Sequence, residues 1–283
     1  MIKRILYTLL IMFPVVASAQ INTDRVMAIG RNALYFEDYV LSIQYFNQVI
    51  NAKPYLSDPY FYRGLAKINL DDFQGAESYC SEAIERNPFV VSAYQVRGLA
   101  RIQQNNFAGA IEDYTKALEF DPENIGVWHN MALCRIRQED YKGAKNDLDK
   151  LIAISPRYTK AYLMRGEVDL KQKDTLAAEK DFGKAIEIDR YDADTWASRA
   201  ILRLQQQRYK DAEADFDHAI RLSTRNSGVY INRALARYHQ NNLRGAMSDY
   251  DIALDIDPNN FIGHYNRGLL RAQVGDDNRA IQD

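Results

Sequence analysis

Residues 91–124, VSAYQVRGLARIQQNNFAGAIEDYTKALEFDPEN, are followed directly by residues 125–158, IGVWHNMALCRIRQEDYKGAKNDLDKLIAISPRY. Laid one under the other, the two stretches carry matching residue types at matching offsets: Tyr94 over Trp128, Gly98 over Ala132, Phe107 over Tyr141, Ala110 over Ala144, Tyr114 over Leu148 and Pro122 over Pro156. Working outward, Pro54 and Pro88 lie on the same 34-residue ruler, and Pro258 falls three periods beyond Pro156. Spacing of this kind marks an internal repeat. With Thr23 as position 1, seven full repeats run without insertion over residues 23–260, and a partial eighth occupies residues 261–283.

Each offset demands a particular size and shape. Position 4 is large and mostly aromatic (Tyr60, Tyr94, Trp128, Tyr162, Trp196, Tyr230). Position 8 is Gly or Ala in every repeat, and position 20 is Ala in all but the first. Small residues at both places let two helices approach closely. Positions 20, 24, 27 and 28 form an apolar stripe at helical spacing, so each repeat reads as two helices, A over positions 1–14 and B over positions 15–28. Asp71, Asp72, Asn105, Asp140, Asp174 and Asn242 are expected to cap helix B, and Asn124, Asp192, Asn226 and Asn260 to cap the next helix A. Helices of about 14 residues are marginal alone in water, so stacking must supply the stability.

Tyr94, Gly98, Phe107, Ala110, Tyr114, Ala117 and Pro122 together resemble the tetratricopeptide repeat pattern, and the resemblance spans essentially all of residues 23–283. It implies an all-α fold, a right-handed solenoid of antiparallel helix pairs, whose concave face is lined by helix A. Departures are local: Arg190 and Thr224 replace the loop proline, and Thr175 the aromatic at position 17. The resemblance also implies that peptide contacts come from positions 2, 5, 6, 9, 12 and 13 of helix A. Candidate groove residues on that ground are Phe61, Leu65, Gln95, Leu99, His129, Asn130, Leu133, Leu163 and Glu167. The apolar ones either pack neighbouring A helices or form an exposed strip that a partner covers. Gln95, Leu99 and Met164 stand where a clamp for a C-terminal carboxylate would need Lys, Asn and Arg.

Two charge patterns bear on function. Arg recurs at position 7 (Arg63, Arg97, Arg165, Arg199, Arg233, Arg267) and at position 11 (Arg101, Arg135, Arg203, Arg237, Arg271). Asp recurs at position 23 (Asp113, Asp147, Asp181, Asp215, Asp249, Asp283). The match predicts a ladder of Arg–Asp pairs between helices A and B in preference to a basic stripe for nucleic acid. With 36 Lys and Arg against 38 Asp and Glu, the chain as a whole does not attract polyanions.

No metal-binding, nucleophile-elbow or phosphate-loop motif is present, and the four histidines fall in different repeats. Neither an enzymatic activity nor a cofactor is expected. Cys80 and Cys134 are expected to be free and buried, His264 to pack at position 4.

Composition fits this picture: 47% apolar and 26% charged residues suit a folded chain, while 7 Pro and 14 Gly are too few for an all-β one. Residues 1–19 read as a secretory signal peptide, with Lys3 and Arg4 before an apolar run and Ala17-Ser18-Ala19 at its end; the alternative is an uncleaved membrane anchor. Residues 20–22 then form a short lead-in, and the remaining chain is expected in the periplasm or outside the cell. Asp283 falls at position 23, cutting the last helix B short, which leads us to expect a piece of a longer protein. The sequence therefore supports a non-catalytic scaffold or adaptor binding a protein or peptide. The alternative is the docking or sensory region of a longer enzyme or signalling protein.

Overall fold

The computed structural model describes residues 22–283. The signal peptide and nearly all of the lead-in lie outside the described residues. Sixteen helices follow in chain order among the described residues. The fold is all-α, an α-solenoid of consecutive helix pairs. Two compact units divide at Ala100 and Arg101. The first holds α1 (Thr23–Tyr35), α2 (Tyr39–Ala52), α3 (Asp58–Asn69), α4 (Phe73–Arg86) and most of α5 (Val91–Gln103). The second holds the end of α5, then α6 (Phe107–Phe120), α7 (Ile125–Arg137), α8 (Tyr141–Ile154), α9 (Thr159–Lys171) and α10 (Thr175–Ile188). It continues with α11 (Ala193–Gln205), α12 (Tyr209–Leu222), α13 (Ser227–His239), α14 (Leu243–Ile256), α15 (Phe261–Gln273) and α16 (Asp277–Gln282).

Helix A was expected over positions 1–14 and runs over 1–13, or 2–13 in the second repeat, whereas helix B begins at position 17, two residues later than the periodicity placed it. The reason lies at position 15. Glu37, Asp71, Asn105, Glu139, Lys173, Gln207, Asn241 and Gly275 all take a left-handed backbone, with φ between 57° and 79°. One such residue reverses the chain and stops helix A, so helix B cannot start there. Asp71 and Asn105 are these turn residues and not caps. The caps sit one residue on: Asp38, Asp72, Asn106, Asp140, Asp174 and Asn242 each accept the backbone N–H three residues ahead at 2.9–3.1 Å. Asn124, Asp192, Asn226 and Asn260 cap the A helices as expected.

In the first, fourth, fifth, sixth and seventh repeats the small residue at position 8 receives the bulky one at position 24. A methyl group added at Gly30 would sit 2.6 Å from Phe46 Cε1, and one at Gly166 2.5 Å from Phe182 Cε1. Phe46, Leu148, Phe182, Phe216 and Tyr250 are all buried by that fit. Position 4 has a second task. Tyr60 Oη, Trp128 Nε1, Tyr162 Oη and Trp196 Nε1 donate to the backbone carbonyl six residues earlier, at 2.8–3.2 Å. His264 repeats the contact through Nε2 to Pro258 O at 3.0 Å. Only a carbonyl is required, so Arg190 serves Trp196 as well as a proline does.

The Arg–Asp ladder forms, and it does more than the sequence suggested. Arg165, Arg199 and Arg233 each grip the position-23 Asp of their own repeat with Nε and Nη2, at 2.6–2.9 Å. Arg203 and Arg237 add a bond to Asp215 and Asp249, and Arg271 joins Arg267 on Asp283. The arginines also reach back to the preceding repeat: Arg165 to Asp149, Arg233 to Asp217 and Arg267 to Asp251 from position 7, Arg203 to Glu179 and Arg237 to Glu213 from position 11. Asp181, Asp215 and Asp249 are buried, so each carboxylate depends on these donors.

Two repeats break the pattern instructively. In the second, Tyr79 occupies position 23, and the Arg63 guanidinium lies 3.8 Å from its ring centroid. In the fifth, position 11 is Asp169 and the facing residue of the fourth is Lys145, joined at 2.5 Å. The two charges have changed places.

Candidate functional site

The helix A face within Arg101–Asp283 is the part of the molecule whose side chains remain to be used. α7, α9 and α11 contribute to two neighbouring clefts. The first, of about 580 Å³, is lined by His129, Tyr158, Lys160, Leu163, Met164 and Asp194, with Arg157 also contributing. The second, of about 400 Å³, is lined by Ile136, Tyr141, Glu167, Leu170, Lys171 and Gln205.

Local structure fixes several of these groups. Tyr158 stands at position 34, where Asn caps helix A in other repeats, and it makes no cap bond. Its ring instead meets His129 edge-on, centroids 5.8 Å apart, with Oη 3.3 Å from Nδ1. Burial and then the charge of Lys160 hold the His129 imidazole below its ordinary range. At neutral pH the ring is therefore uncharged. Burial raises the Tyr158 phenol, so it stays protonated.

Of the sequence-derived candidates, His129 and Leu163 line the first cleft and Glu167 the second. Asn130 and Leu133 are half-buried on α7 and line neither of these two clefts. Phe61, Leu65, Gln95 and Leu99 belong to the first compact unit, where Leu99 is exposed and the other three are half-buried. Tyr158, Asp194 and Tyr141 were not foreseen as site residues. For Tyr158 a signal existed, an aromatic in place of the recurring capping Asn. Among the described residues no group of three or more His, Cys, Asp or Glu could hold a metal ion. Cys80 and Cys134 are free and buried, and burial pushes the Cys134 thiol up to about 11.

Family models described as TPR repeat match residues 98–134 and 234–275, and one described as Tetratricopeptide repeat matches 125–158 and 159–192. The chain belongs to the tetratricopeptide repeat family. Tetratricopeptide repeats are protein-interaction scaffolds, and their partners are proteins or peptides. No curated protein matches the chain.

Solved tetratricopeptide repeat structures share the fold. The C-terminal part of a TPR repeat-containing protein from Cytophaga hutchinsonii superposes with a TM-score of 0.72 at 16% identity, covering 84% of this chain and 97% of that one. A tetratricopeptide repeat protein from Parabacteroides merdae gives 0.65 at 21% identity, covering 79% and 89%. YrrB, described as a TPR protein with an unusual peptide-binding site, gives 0.54 at 20% identity, covering 66% and 97%. At these identities the likeness speaks for the fold alone. No helix among the described residues is long and apolar enough to cross a membrane.

Proposed function

We propose that this tetratricopeptide repeat chain is an exported, non-catalytic scaffold or adaptor of the cell envelope that holds a protein or peptide along its helix A face. The observation that carries the reading is the unspent chemistry of that face. Arg165, Arg199, Arg203, Arg233 and Arg237, with Asp181, Asp215 and Asp249, are consumed by the ladder. Lys160, Asp194 and Glu167 form no hydrogen bond or ion pair through their side chains, and they sit beside half-buried Leu163, Met164 and Leu170. Apolar surface interspersed with unpaired polar groups suits a polypeptide, whose side chains offer both. A preformed surface on rigid helices loses little entropy on binding. Residues 1–19 support export, to the periplasm or beyond.

The test is selection of peptides from a phage-displayed dodecapeptide library on the immobilised chain. Binding of the enriched peptides is then measured against a His129→Ala/Lys160→Ala/Leu163→Ala variant of unchanged melting temperature. A loss of about tenfold or more is expected. Equal binding to the folded variant refutes the reading. Export is checked by fractionating cells that express the chain with Met1–Ala19 intact; retention in the cytoplasm refutes that part.

A further inference from the structure

Glu167 is the most exceptional carboxylate on the helix A face. It extends from α9, and the second cleft places it among Ile136, Tyr141 and Leu170, with Lys171 and Gln205 completing the lining. Two acids of the B helices are satisfied: Glu179 holds Arg203 and Arg208, and Glu213 holds Arg237. Glu167 holds nothing. Desolvation by the surrounding side chains, and after it the negative charge of Asp194, lifts its carboxyl above the ordinary range. Lys171, one turn further along α9, offsets this least and makes no hydrogen bond to it. One unpaired acid, Glu167, thus faces a cleft whose walls are largely apolar, with Asp194 of the neighbouring cleft close enough to add its charge.

We propose that this cleft receives an arginine or lysine side chain of the bound polypeptide. A long basic side chain fits both halves of the lining. Its methylene stem buries against Ile136, Tyr141 and Leu170, and its charged head reaches Glu167 under the influence of Asp194. The Tyr141 ring adds an attractive face for the cation. A metal ion would leave the apolar walls unused, and an anionic side chain would be repelled. This inference rests on the helix A face being the polypeptide-binding surface, and it adds which residue type that surface selects.

The probe is the set of dodecapeptides enriched on the full chain, each resynthesised with its basic residue replaced by citrulline, where that residue is Arg, or norleucine, where it is Lys. Arg or Lys is expected at one fixed position of the enriched peptides. Its replacement is expected to weaken binding to the wild-type chain about tenfold, and binding to Glu167→Gln by less than about threefold. Glu167 makes no hydrogen bond or ion pair within the chain, so exchanging its carboxylate for an amide is expected to keep the wild-type melting temperature. Peptides that depend on His129, Lys160 and Leu163 yet carry no fixed basic residue overturn the inference and leave the scaffold reading standing. So does an equal loss on both proteins. If no peptide depends on that face at all, both readings fall together.

Discussion

Replacing Lys145 tests the inverted pair between the fourth and fifth repeats. Asp169 is 1% exposed, and Lys145 Nζ at 2.5 Å is its sole side-chain partner. At an effective dielectric of about 20 the gross attraction over that distance is on the order of 6 kcal/mol. Much of it offsets the desolvation of Asp169, so the meaningful quantity is the cost of stranding the carboxylate. For an enclosed pair that cost is roughly 3–5 kcal/mol. Lys145 is 34% exposed, so water can partly replace it, and we expect about 3 kcal/mol for Lys145→Ala. Lys145→Glu places a second carboxylate against Asp169 and is expected to cost more. The double change Lys145→Glu/Asp169→Arg reproduces the arrangement of Glu179 with Arg203, so stability should return to within about 1 kcal/mol of the parent. Repeat arrays open locally, so the assay is native-state hydrogen exchange of the α8 and α9 amides. Equal protection in Lys145→Glu and in the double variant would refute the reasoning.

Asp147 gives a pH-dependent prediction. Its repeat has Met131 at position 7, so Arg135 alone binds its carboxylate, and Asp140 shares that arginine. Burial then outweighs the arginine and pushes the carboxyl up to about 6, from 3.8. The folded state holds the proton more tightly than the unfolded one. Asp147 therefore costs nothing below about pH 4, and its penalty grows to at most about 3 kcal/mol as pH rises through 6. Asp147→Asn should gain on the wild type between pH 4.5 and 7.5 in denaturant melts; a constant difference rejects the assignment. Gly166→Ala should lower stability by about 1–2 kcal/mol, because its methyl meets Phe182 and helix propensity recovers only part of the loss. An unchanged melting temperature would contradict the close approach.

The repeat frame was legible because packing at positions 4, 8, 20 and 24 is between the same two helices every time, and the chain repeats itself in phase. The within-repeat ladder could be read for the same reason. Its cross-repeat half could not: Arg203 with Glu179, and Lys145 with Asp169, pair position 11 with position 21 of the repeat before, and a frame that compares repeats column by column does not join neighbours. The start of helix B was misplaced because Glu, Lys and Gln do not advertise a left-handed backbone as Gly275 does, and Asp71 and Asn105, which tolerate one, suit a helix cap equally well. On the helix A face, position numbers came from family resemblance and could place His129, Leu163 and Glu167 but not the loop-borne Tyr158.

The swapped charges of Lys145 and Asp169 make the order of the modules a matter of sequence grammar. The fifth module begins with an acidic plug at Asp169 and ends with an acidic socket at Glu179, whereas the sixth begins with Arg203. Unequal crossing-over in the coding DNA that copied the fifth module in tandem would set Glu179 against a second Asp169, and the product would be penalised at the new junction. Gene duplication can lengthen this chain by repeating the sixth module, whose Arg203 and Glu213 read correctly against each other, but not by repeating the fifth.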